Sequence, residues 1–354
     1  MNKTLKKHDL HLDYIDFIKG FAILGVVAVH TLGNKNIPIL STWLYFFMIT
    51  VFYIIPGWLA NIKNNTDINI KSLIKKRLIS LGIPYVSFSI LIILFDLVLC
   101  FINYYSFSHI ISDIYFTLSL AGIGTLWFLP TIFIAEIVFY WVLKKENPNF
   151  WFLLIFIFSI GANIILNEYR TDTRLFQLIS SPIIAFLKGI IGSLFLFGGY
   201  LACKLWTIFE NKFSEFIQYI FVLFITCISI FLCNITPRCS FNALNSKMPL
   251  RWTLVSFLAG ISIALICKTF FSKLNINNPI LKFISFFGKN SLIVMCSHYS
   301  FLLPLYEILL PSIKNNVIFL FFFVILIEVP IIFIVNNKIP SIIGKGELPS
   351  FISN

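Results

Sequence analysis

Ten apolar runs of roughly twenty residues, separated by short polar connections, constrain this chain more than any other feature. A run of that length crosses the hydrocarbon core as an α-helix, because lipid offers the backbone N–H and C=O groups no partner and a helix pairs them internally. The runs lie at 14–33, 39–61, 79–103, 122–143, 150–167, 182–203, 216–234, 252–271, 288–310 and 316–336. A shorter apolar stretch, 110–121, reads as a re-entrant or interfacial piece. Composition closes off the rival classes. With 58% hydrophobic and 12% charged residues and a mean hydropathy of +0.91, neither a soluble globule nor a disordered chain fits. A transmembrane β-barrel would show weak alternating segments of about ten residues. The expected fold is an all-α polytopic membrane protein of about ten transmembrane helices, forming one domain over 1–354. No internal repeat, separate soluble domain or signal peptide is expected.

The chain carries 27 Lys and Arg against 15 Asp and Glu, a net charge of +12. In a membrane protein such an excess sets orientation and meets anionic lipid, so the expected partner is the bilayer rather than nucleic acid. With the N-terminus inside, the inner segments hold 19 of these cations and the outer loops 7. Both termini are therefore expected on the cytoplasmic side, which requires an even number of spans. The seven cysteines form no C-x-x-C pair and no metal-ligand spacing. No metal and no resident cofactor is expected, and most of the cysteines read as small buried hydrophobes, with Cys233 and Cys239 flanking one loop.

Ionisable groups inside spans are costly, and each is a candidate site. They are Asp16, Lys19, His30, Asp96, Glu136, Lys188, His298 and Glu328. In the first span, Lys19 and His30 are eleven residues apart, about 20° past three full helical turns. One stripe thus carries a cation near one end and an imidazole roughly 16 Å further along, with only apolar residues and glycine between them. Asp16 precedes Lys19 by three residues and can pair with it. Taken alone, this pattern is equally an interfacial ion pair with a histidine at the membrane boundary.

The rest of the chain shifts that balance. The Lys19–GFAILGVVAV–His30 spacing resembles the opening helix of the acyltransferase family 3 membrane proteins, especially the branch of fucose O-acetylase-like and capsular O-acetyltransferases. The aromatic-rich segment ending in Gly57 and Trp58, the basic cluster before Pro84 and Tyr85, the Trp127–Phe128–Leu129–Pro130 motif followed by Glu136, and FGKNSLIVMCSHY at 287–299 are similar to later motifs of that family, in the same order. Lys19 departs from the arginine frequent in the family, and Phe47 stands where many members have a second histidine.

The resemblance implies ten membrane helices in a bacterial plasma membrane and acyl transfer from cytoplasmic acetyl-CoA to a saccharide. The acceptor would be a capsular or other surface polysaccharide or its lipid-linked precursor, with other glycan-assembly membrane proteins as further partners. Such chemistry needs a base for the acceptor hydroxyl, donors for the developing oxyanion and a hold on the thioester. His30 is the candidate base, with a covalent acyl-histidine relay left open. Lys19 would attract the anionic donor, and Lys75, Lys76 and Arg77 would bind its phosphates, although basic residues there also serve orientation. Trp127 and Glu136, nine residues apart, point to opposite helix faces unless Pro130 kinks the helix. Ser291 and His298, seven apart, share a face and are candidate pocket residues, as is Asp16. Asp96 and Glu328 are expected to make interhelical polar contacts. The rival classes are a transporter, for which no related halves are found, and a polysaccharide polymerase or flippase of the same pathway, for which no long outer loop is found.

Overall fold

The computed structural model describes residues 13–32, 38–64, 68–171, 173–271 and 278–346. Among them the chain is helical and contains no strand. Eight helices are long and apolar enough to cross a membrane: Asp13–Leu32, Ile70–Phe101, Pro148–Glu168, Arg174–Lys212, Glu215–Ile235, Pro249–Thr269, Ser291–Leu309 and Val317–Asn337. The fold is an all-α polytopic membrane protein.

The expected runs 39–61 and 122–143 take shorter forms, each for a local reason. The first divides into α2 (Pro38–Phe47) and α3 (Val51–Ile62). At the break the Thr50 hydroxyl donates 3.1 Å to the Phe46 carbonyl and lies 3.3 Å from that of Ser256, so a side chain competes with the backbone ladder. The second is helical only as α7 (Phe128–Leu143). Gly122 and Gly124, with φ of +76° and +52°, turn the preceding segment in a left-handed conformation that glycine adopts without a Cβ clash. Pro130 therefore occupies the first turn of α7, where its missing N–H has no helical partner to lose, and it produces no mid-helix kink.

The expected run 79–103 begins earlier, as α4 (Ile70–Arg77), and continues through a wide turn at Leu78–Gly82 into α5 (Ile83–Phe101). The Ile83 N–H reaches the Leu78 carbonyl five residues back, and Pro84, with no N–H, follows at once. The stretch at 110–121 lies mostly within a short helix, α6 (Phe107–Leu118). Residues 204–212, read as a polar connection, instead prolong α9 (Arg174–Lys212) to 39 residues, about 58 Å. Hydropathy marks where a helix leaves apolar surroundings, not where its hydrogen bonds end.

The remaining helices are α1 (Asp13–Leu32), α8 (Pro148–Glu168), α10 (Glu215–Ile235), α11 (Pro249–Thr269), α12 (Pro279–Lys289), α13 (Ser291–Ser297), α14 (Leu303–Leu309) and α15 (Val317–Asn337). Glycine sets two close crossings. A Cβ on Gly288 of α12 would collide with the Asp16 carbonyl of α1, and one on Gly57 of α3 with the Leu196 carbonyl of α9. Without water to drive association inside a bilayer, such close approach gives helices their dispersion contact. It also seats α1 against the segment that carries His298.

Candidate functional site

The stripe on α1 has a cavity at each end. The His30 end opens into one of about 890 Å³, lined also by Trp127, Lys188, Asn242 and Tyr299. The Lys19 end faces one of about 540 Å³, lined also by Lys63, Lys76, Arg77, Glu136 and Ser291. Met295, from the middle of α13, lines both.

At the His30 end, the His30 Nδ1 lies 2.9 Å from the His298 Nε2, and the two rings stack at 5.1 Å and 10°. Tyr299 meets His30 edge-on at 4.9 Å. The other nitrogen of His298, Nδ1, is 2.6 Å from the Val294 carbonyl. That geometry orders the protons. A carbonyl only accepts, so the His298 Nδ1 carries the hydrogen and its Nε2, in a neutral ring, accepts. The His30 Nδ1 must then donate, which leaves the lone pair on the His30 Nε2. His298 is fully buried and does not line the cavity, whereas His30 does. Beside it, the Ser297 hydroxyl donates 2.7 Å to Glu328 on α15.

Lys188 is 2% exposed, with its Nζ 2.7 Å from the Asn242 Oδ1 and 4.5 Å from the centre of the Trp127 ring. An amide oxygen and an aromatic face thus hold a buried cation at the cavity wall.

At the other end, the Lys19 Nζ sits 3.2 Å from the Asp16 Oδ1, across one helical turn. The Arg77 Nε donates to the Glu136 Oε2, an ion pair that ties α4 to α7. Glu136 is 2% exposed, and the Arg77 side chain 30%. Lys76 and Arg77 line the smaller cavity, but Lys75, which is exposed, is not among its lining residues. Successive residues on a helix point about 100° apart, so three in a row cannot share one face.

The sequence-derived set is thus divided between the two ends. His30 and Trp127 line the larger cavity, with His298 behind His30; Lys19, Lys76, Arg77, Glu136 and Ser291 line the smaller one. Trp127 precedes α7 rather than lying on it, so the angular count from Trp127 to Glu136 does not apply, and the two nonetheless face different cavities. Ser291 and His298 do not meet: the helix between them carries His298 about 10 Å along the axis, to His30, while Ser291 lines the smaller cavity. Glu328 and Ser297 make an interhelical contact, as expected of Glu328. Asn242, Tyr299 and Met295 were not singled out from the sequence. Of these, only Tyr299 had a signal, its place beside His298. All seven cysteines are free thiols.

A family model described as an acyltransferase domain matches residues 12–335. No curated protein and no solved structure matches the chain.

Proposed function

Because the chain belongs to the acyltransferase domain family and is a multi-pass membrane acyltransferase, we propose that it moves an acetyl group from acetyl-CoA in the smaller cavity to a saccharide hydroxyl in the larger one. Its acceptor on this reading is a capsular or other surface polysaccharide, or its lipid-linked precursor, at a cell membrane. The observation that carries the reading is the division of chemistry along α1: cations gather at one end, and an imidazole with a free lone pair faces a cavity at the other.

In this mechanism Lys19, Lys76 and Arg77 attract the donor's phosphates. Glu136 engages the Arg77 Nε and fixes the guanidinium plane, leaving the four Nη hydrogens to face an anion. The thioester lies toward Met295, which borders both cavities. The His30 Nε2 removes the acceptor hydroxyl's proton as the oxygen attacks the acetyl carbonyl. The C–S bond breaks, and His30 returns the proton to the departing thiolate. His298 acts as a positioning residue: by accepting from the His30 Nδ1–H it holds the tautomer the base needs and favours the imidazolium that forms. Lys188, close to Trp127, provides positive charge near the developing oxyanion. The Lys76/Arg77 end is cytoplasmic on this reading, in keeping with the 19-to-7 distribution of basic residues.

NMR of surface glycan from wild-type and deletion strains tests the proposal. Loss of one acetyl resonance in the deletion strain, restored by the wild-type gene, is the expected result. Identical glycan acylation in both strains would overturn the assignment of substrate.

A further inference from the structure

The larger cavity holds a second group of ionisable side chains, which the acyl-transfer scheme does not use. Asp96 of α5, with His109 and Asp113 of α6, offers two carboxylate oxygens and one imidazole nitrogen, all within 4.8 Å of one another. All three residues line the cavity wall. Asp96 and Asp113 are 3% and 4% exposed, whereas His109 is partly open. The His109 Nε2 lies 3.4 Å from the Asp113 Oδ2, yet that buried oxygen accepts no hydrogen bond among the described residues.

Two carboxylates buried together repel, and an acceptor buried without a donor is costly. A proton shared between them, a protonated His109 beside Asp113, or a cation bound by both carboxylates removes the penalty. The third member of the set is also a ligand of the kind a transition metal takes. His109 and Asp113 stand four residues apart on one helix face, a spacing that presents both ligands to one point. An imidazole beside two carboxylates suits zinc or manganese, whereas calcium and magnesium favour shells of oxygen alone.

We propose that Asp96, His109 and Asp113 bind a divalent transition-metal ion of the zinc or manganese class at the wall of the larger cavity. Ligands around a tetrahedral ion with bonds of about 2.0–2.1 Å stand roughly 3.3 Å apart, so binding draws the three groups inward, and the partly open His109 has room to rotate. Three protein ligands leave at least one position open to the cavity, where water or a hydroxyl of a polyhydroxylated ligand completes the shell. Metal binding itself requires nothing of the acyl-transfer reading.

The test uses the full chain in detergent, stripped with a chelator, dialysed, and loaded with zinc chloride or manganese chloride in turn. Bound metal is counted by inductively coupled plasma mass spectrometry, and the thermal midpoint is followed in parallel. The expected result is close to one ion per chain and a raised midpoint in the wild type, with apparent affinity lower by tenfold or more in Asp113→Asn and His109→Ala. His109 is partly exposed, so its variant carries the test if Asp113→Asn does not fold. A wild type that retains no ion would overturn the proposal and leave a proton on the carboxylates or on His109 to relieve the cluster. Undiminished binding in a folded variant would overturn it too, by placing the ion elsewhere. Because the readout is metal content, failure here is distinct from failure of the acyltransferase mechanism.

Discussion

Replacing Arg77 with methionine should expose how strongly the buried Glu136 carboxylate depends on it. Methionine keeps an apolar stem and removes the charge, so the loss reports electrostatics more than packing. Glu136 is 2% exposed, and removing one partner of a buried ion pair costs about 3–5 kcal/mol, because the other charge stays desolvated. The Arg77 side chain is 30% exposed and keeps one side toward water, which puts the expected loss at the lower end, about 3 kcal/mol. Glu136→Gln leaves a neutral acceptor against a partly hydrated guanidinium and should cost about 1 kcal/mol, the difference between a charged and a neutral hydrogen bond. In the double variant no charge is buried. Its stability should therefore exceed that of Arg77→Met, with a coupling energy of about 1–3 kcal/mol across the cycle. Reversible unfolding in mixed micelles, followed by tryptophan fluorescence, measures all four proteins. Strict additivity would mean that Glu136 does not depend on Arg77.

Two further expectations follow from the geometry. In acetyl-CoA kinetics, Lys76→Gln should raise KM several-fold, while Lys75→Gln should move it less than twofold, since only Lys76 borders the smaller cavity; equal effects would mean the cluster acts through net charge alone. Gly288→Ala should reduce folded protein in the membrane, because the new methyl meets the Asp16 backbone and overpacking of this kind costs about 1–3 kcal/mol or more; detergent-solubilised yield and thermal midpoint report it, and a variant of wild-type stability would contradict the crossing of α1 and α12.

The sequence made the membrane class and the α1 stripe legible because both rest on periodicity that a helix preserves: runs of about twenty residues, and eleven residues between Lys19 and His30. What it hid depends on how the chain departs from ideal helices or on residues far apart in sequence. At the break between α2 and α3, the Thr50 hydroxyl also approaches the Ser256 carbonyl, 206 positions away. The loop before α7 follows from left-handed backbone at Gly122 and Gly124, and it moved Trp127 off the helix from which its orientation had been judged. His298 was a candidate, but its partnership with His30 spans 268 residues. Asp96, His109 and Asp113 converge only in the fold, although the His109–Asp113 spacing of four was a signal that could have been read.

In the proposed mechanism the His30 Nε2 is the base. Acetyl transfer from labelled acetyl-CoA to acceptor glycan, measured in proteoliposomes holding equal amounts of wild-type and His30→Ala protein, tests it most directly. The variant's rate should be lower by about 10²–10⁴-fold with KM for acetyl-CoA nearly unchanged, because His30 stands at the cavity away from the cations assigned to the donor. A His30→Ala protein that acetylates glycan at near the wild-type rate would contradict it.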